Sequence, residues 1–261
     1  MSAILLDGGI VHYEVIGRGR PIIFLHGWIG SWRYWIPALQ SASTDFRAYA
    51  VDLWGFGDTA REPDHYSLDK QMGLLDQFLQ EMGIGKVALV GHGLGAIVGL
   101  HFTLRHPTVV DRIMAINTPV DINAVNSRLR TDSLANLADW LLAKNPESEP
   151  ARADGVRADP LAIAASFNNP EQFTLSGKLL GMNKSCLMVY GQNDPAITIP
   201  MLDPNLTPSM IHLLLLEQAG HFPMLEDSAR FNRLLTDFLA LESGDTPRNL
   251  QTKEEWKRRV R

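Results

Sequence analysis

The chain predicts an α/β domain, a mostly parallel sheet of about eight strands covered by helices on both faces. Three observations predict it. Short apolar runs without polar alternation recur at residues 21–25, 48–51, 87–90, 112–116, 187–190 and 210–216, as expected of strands buried on both faces. Segments with apolar residues at helical spacing lie between several of them, for instance Leu68, Leu75, Phe78, Leu79 and Met82,. The length of 261 residues suits one large domain that needs no disulfide or metal to hold it.

Taken in order, the elements justify that class. Ile4, Leu5 and Leu6, then Ile10 and Val11, flank the turn residues Asp7-Gly8-Gly9 and predict a hairpin,. Strands at 21–25 and 48–51 follow, then the helix carrying Leu68 to Met82, the strand at 87–90, a helix from about Ala96 to Leu104 and a strand at 112–116. The rhythm breaks at Asp121. From there to Lys184 only helix and loop signals occur, with Leu134, Leu137, Leu141 and Leu142 as a stripe. Strands return at 187–190 and 210–216, and Phe231, Leu234, Leu235, Phe238 and Leu239 mark a closing amphipathic helix,. Residues 1–120 and 185–243 are therefore read as the core and 121–184 as a helical insertion placed to act as a lid. Residues 244–261 are read as a tail, where Thr252-Lys253-Glu254-Glu255 matches a capping box before a basic end,. Trp256 makes that tail a possible contact for a protein partner.

Hydrophobic residues make up 45% and charged residues 20%, with a net charge of −5. That balance argues against a nucleic-acid partner. The single cysteine, Cys186, lies in an apolar run and reads as a core residue of a protein from a reducing compartment,. The N-terminus has no secretory pattern and no stretch is long enough to span a bilayer, so a cytoplasmic protein is expected.

The segment Val90-Gly91-His92-Gly93-Leu94-Gly95-Ala96 carries the chemistry. Gly91, Gly93 and Ala96 satisfy a dinucleotide-binding pattern between a strand and a helix. That pattern needs an acid at the end of the next strand, where Asn117 stands. No nicotinamide, flavin or other cofactor is expected, and no metal. The alternative is a strand-to-helix elbow that presents a nucleophile, with Gly93 in the serine's place. Four further segments favour it. These are His26-Gly27-Trp28 after a strand, Asp52-Leu53-Trp54-Gly55-Phe56-Gly57-Asp58, Gly191-Gln192-Asn193-Asp194, and Gly220-His221-Phe222-Pro223. Together they resemble the oxyanion loop, the glycine-rich loop, the acid turn and the histidine turn of the α/β-hydrolase fold family, in that family's chain order. The resemblance covers residues 4 to 241 apart from the insertion.

The resemblance implies a role for each position. His221 would be the general base, with Asp194 on its other ring nitrogen. Asp121 and Asp203 are weaker candidates for the acid. The backbone amides of Trp28 and Leu94 would form the oxyanion hole. His26, Gly27, Ile29, Trp54 and Phe222, with Trp32 and Trp35, would line a pocket for a small apolar, ester-like molecule. His92 would diverge from the cleft, and Ser31 is a poor substitute nucleophile. Gly93 can form no covalent intermediate. It would leave a polar niche fit for one water molecule. Three readings follow: a binding protein, an enzyme that uses His221 without a nucleophile, or a silenced form of an ordinary serine hydrolase.

Overall fold

In the computed structural model, residues 2–203 and 205–251 are described. The strands are β1 (Ser2–Leu6), β2 (Gly9–Gly17), β3 (Arg20–Leu25), β4 (Phe46–Val51), β5 (Val87–His92), β6 (Val110–Ile116), β7 (Ser185–Gly191) and β8 (Ile211–Leu216). They form one sheet in the order β1-β2-β4-β3-β5-β6-β7-β8. The first two pairings are antiparallel. Every pairing from β4 to β8 is parallel. The hairpin turn has positive φ at both Asp7 (43°) and Gly8 (84°), the twist that a two-residue hairpin requires. Every residue of β5 and β7 is buried, which explains their unbroken apolar sequence.

The core helices are α1 (Ile36–Ala42), α2 (Leu68–Glu81) and α3 (Leu94–Arg105). After β3 the chain moves one way along the sheet to β4, then returns past β3 to β5. Right-handed crossovers therefore place α1 on one face and α2 and α3 on the other. This reversal beside β3 is the topological position, at the carboxyl ends of the strands, where ligands bind in open α/β sheets,.

Residues 121–184 carry α4 (Arg128–Thr131), α5 (Leu134–Leu141), α6 (Glu149–Gly155), α7 (Pro160–Ala165) and α8 (Leu175–Leu179). A short α9 (Pro223–Glu226) and the longer α10 (Ser228–Leu239) close the core, and α10 packs on α1. The start of the tail is seated against the sheet edge, since Leu250 O accepts from His212 Nε2 at 3.2 Å. The expected terminal helix, with its capping box and Trp256, lies outside the described residues.

Candidate active site

Each site segment begins where a parallel strand ends. His26 follows β3, Gly93 follows β5, Asn117 follows β6, Asp194 closes the turn after β7, and His221 follows β8. The sheet thus delivers residues from distant parts of the chain to one edge.

Gly93 links β5 to α3 with φ 51° and ψ −111°, a conformation open to glycine and strained for other residues. Close packing demands the small neighbours. A Cβ on Gly95 would run into the carbonyls of Leu25 and His26. Gly95 N instead donates to His26 O at 3.0 Å, which ties the loop after β3 to the start of α3. This brings Trp28 and Leu94 to the same place.

Asp194 and His221 meet as expected. His221 Nδ1 lies 2.9 and 3.1 Å from the two carboxylate oxygens of Asp194. Both side chains are buried. Asp194 Oδ1 also accepts from Ala196 N at 2.7 Å, so the carboxylate is held by its own turn as well. With Nδ1 engaged, proton transfer is left to Nε2. Asp121 caps its own turn by accepting from Asn123 N, and Asp203 accepts from Asn205 N. Neither is bonded to His221.

Several side chains are placed differently from the sequence expectation. Both nitrogens of the His26 ring are taken up within the protein. Its Nδ1 donates to Gly27 O at 2.8 Å and its Nε2 accepts from Leu53 N at 3.0 Å, so it braces the loop as a neutral ring. Burial accordingly holds its pKa below the ordinary histidine value,. His92 is fully buried beside the site. Its ring centroid is 4.7 Å from that of His221, and its Nδ1 meets Tyr34 Oη at 3.0 Å. Tyr34 Oη also accepts from Gly27 N. Burial, reinforced by His221, pushes the His92 pKa well down.

The aromatic residues expected to line a pocket divide into two groups. Trp54 packs against His65 and beside Gly9, Trp32 against His12, and Trp35 against Phe24 and Phe231. These build the core because the loop residues fold back under the sheet edge. Phe222 contacts the rings of His92 and His221, and Ile29 lies against Gly155 of α6.

Trp28 is the unexpected feature. A Cβ at position 93 would lie 3.0 and 3.1 Å from two carbons of its indole. The niche that glycine was expected to leave for water is therefore covered by an apolar ring. That ring is fully buried. Ser31, fully buried too, bonds to Asp154 of α6.

Two residues that matter to this geometry were given no site role from the sequence. Asn117, with φ 43°, donates from Nδ2 to Gly220 O at 3.0 Å and His221 O at 2.9 Å, and its Oδ1 accepts from Gly191 N at 2.9 Å. It clasps the acid turn to the histidine turn. An asparagine just past a buried strand was the available signal, because asparagine tolerates positive φ and offers both donor and acceptor. Glu226 accepts from Gly220 N and from Phe222 N, the latter at 3.0 Å.

Among the described residues, His12, Asp52 and Asp58 bring possible metal-ligand atoms within 4.8 Å of one another. Their contacts are already made within the protein. Asp52 accepts from His12, from Trp32 N and from Asp58 N. Asp58 is paired with Arg33 and Arg157.

The family model described as alpha/beta hydrolase fold matches residues 20–149. The chain is similar to a putative carbamate hydrolase, RutD, of Stutzerimonas stutzeri, 26% identical over 90% of this chain and 98% of that protein. It is similar to a 2-hydroxy-6-oxo-2,4-heptadienoate hydrolase of Pseudomonas putida, 24% identical over 93% and 97%. Among solved structures, a serine-to-glycine mutant of the N-acyl homoserine lactonase AidH, complexed with N-hexanoyl homoserine lactone, superposes with a TM-score of 0.77. That likeness has 21% identity and covers 91% of this chain and 96% of the other. The chain belongs to the α/β-hydrolase fold family. None of the helices in the described residues is long and apolar enough to cross a membrane.

Proposed function

We propose that this protein binds a small, apolar, ester-like molecule at the edge of its sheet and no longer attacks it covalently. Gly93 stands where a nucleophile belongs, while His221, Asp194 and the amides of Trp28 and Leu94 remain. The observation that carries this is the elbow backbone of Gly93, φ 51° and ψ −111°, without a side chain to acylate or alkylate. Residues 121–184 act as the lid, with Ile29 and Phe222 as lining. The names of the two relatives, hydrolases of a carbamate and of a dienoate, agree with a carbonyl-bearing ligand. The buried lone Cys186 agrees with a reducing, cytoplasmic setting,.

One observation favours a second reading, catalysis by His221 as a general base. Asp194 grips Nδ1 with both oxygens, which fixes the tautomer with Nε2 ready to take a proton from water or substrate. A triad lacking one member keeps roughly 10³–10⁴-fold catalysis over water. The third reading, a serine hydrolase silenced by one substitution, fits less well. The Trp28 ring leaves a Cβ at position 93 only 3.0 Å of room, so the surroundings are matched to glycine.

The test is a panel of activated esters given to the parent and to His221→Ala, with ligand binding followed in both. Binding without turnover in either protein supports the binder. Turnover by the parent that vanishes in His221→Ala replaces it with the general-base enzyme. Absence of both overturns the pocket reading.

A further inference from the structure

The Trp28 side chain reaches from the loop after β3 across Gly93 to the insertion. Its Nε1–H donates to Ser166 Oγ at 2.8 Å, just beyond the end of α7. Its ring stacks on Phe167 at 5.5 Å and 13°, and Phe167 stacks on Phe173 at 5.6 Å and 2°. Ser166 Oγ in turn donates to Ile163 O at 2.6 Å, so its orientation is set to accept the indole proton. A flat aromatic ring with one polar hydrogen therefore already occupies the space over the elbow. Every polar and stacking contact that such a ring could want there is made by the protein's own side chain.

We propose that Trp28 is a plug, and that the ligand admitted over Gly93 is a flat aromatic molecule with a single N–H or O–H donor that takes the place of the indole. This rests on the reading of the sheet edge as a ligand site and narrows its ester-like ligand to an aromatic one that carries a single donor. The physical reason is complementarity. Phe167 offers a parallel face for offset stacking. Ser166 offers one buried acceptor that goes unpaired when a ligand without a donor enters. A flexible aliphatic chain satisfies neither. The plug also crowds a side chain placed at position 93, since the ring lies 3.0 Å from a Cβ there.

The proposal is tested first by calorimetry and thermal melting of Trp28→Ala with indole and with 1-methylindole, which has the same shape and lacks the donor. Indole is expected to raise the melting temperature of Trp28→Ala and to bind at least tenfold more tightly than 1-methylindole. Ser166→Ala in that background is expected to abolish the difference. Should Trp28→Ala melt without cooperativity, recovery of a cooperative melt on adding indole counts for the plug. A folded Trp28→Ala that ignores indole, or prefers neither compound, overturns it, as does a failure of indole to rescue an unfolded one. The second arm compares Gly93→Ser with Gly93→Ser/Trp28→Ala for labelling by a fluorophosphonate. At least tenfold faster labelling of the double variant supports the plug, and measurable labelling at the same rate in both overturns it. Indole binding with no labelling in either serine variant leaves the plug standing and removes the triad reading instead.

Discussion

A side chain at position 93 meets two obstacles of different origin. One is the backbone, held at φ 51°, where a non-glycine residue costs on the order of 1–3 kcal/mol. The other is the indole of Trp28 at 3.0 Å. Gly93→Ser is therefore expected to lose about 1–3 kcal/mol in urea denaturation. A serine variant as stable as the parent would show that the elbow holds no strain. Asn117 presents a related case on the next strand. Its amide joins Gly191, Gly220 and His221 through three hydrogen bonds. Asn117→Gly keeps the backbone relaxed and loses only those bonds, an expected cost of about 1–3 kcal/mol. Asn117→Ala adds the strain of φ 43°, so it should be the less stable of the two. If alanine proves the better replacement, the strain argument is wrong; an Asn117→Gly variant as stable as the parent overturns the clasp.

The insertion 121–184 is fastened to the core by α6 and the loops around it. Arg33, after β3, pairs with Asp58 at 3.0 Å and with Asp154 of α6 at 2.8 Å. Ser31 bonds to the same Asp154. Tyr66 Oη donates to Asp159 Oδ2, and Asp159 N to Gly55 O. Although burial works against its charge, the Arg33 guanidinium is held above its ordinary pKa by the two carboxylates,. Arg33 is 27% exposed while Asp154 is 5% exposed, so the pair lies between the weak surface class and the strong buried class. Asp154→Asn should cost between about 1 and about 3 kcal/mol and should speed hydrogen exchange across residues 149–165 while α3 stays protected. Unchanged exchange in the insertion would show that its apolar contacts hold it without the ion pairs.

For the whole molecule, histidines decide the response to mild acid. Burial, with His221 adding to it at His92, holds His26, His92, His101 and His212 below the ordinary value of 6.5. A group with a depressed pKa takes its proton in the unfolded chain first, so stability falls as pH drops below about 6.5. Each such histidine contributes a slope of up to about 1.4 kcal/mol per pH unit until its folded pKa is reached. His12 works in the opposite direction. Although burial opposes its charge, the Asp52 carboxylate raises its pKa. Its stabilisation is full below the unfolded value and fades as pH rises through the raised one. Four against one predicts a urea midpoint that falls between roughly pH 7 and pH 5. His92→Gln should flatten that slope, and a midpoint that rises toward acid would refute the balance.

All eight strands and the long helices α2, α3 and α10 were legible because their apolar spacing is a local property of the chain. The elbow, the acid turn and the histidine turn were legible for the same reason, as each is a short run of neighbours. α1 escaped notice because its aromatic surroundings mask helical periodicity. What only the tertiary structure decided is how the side chains meet at the sheet edge. A tryptophan reads alike whether it lines a pocket, as expected of Trp54, or packs beside Gly9 of the N-terminal hairpin, as Trp54 does. Nothing near Trp28 in the sequence reveals Ser166 or Phe167, which lie in the insertion. Asn117 looks like a missing acid until Gly191 and His221 are folded against it. Periodicity records which face of an element is buried. Partners between elements are set by the strand order, and that is decided only when the sheet closes.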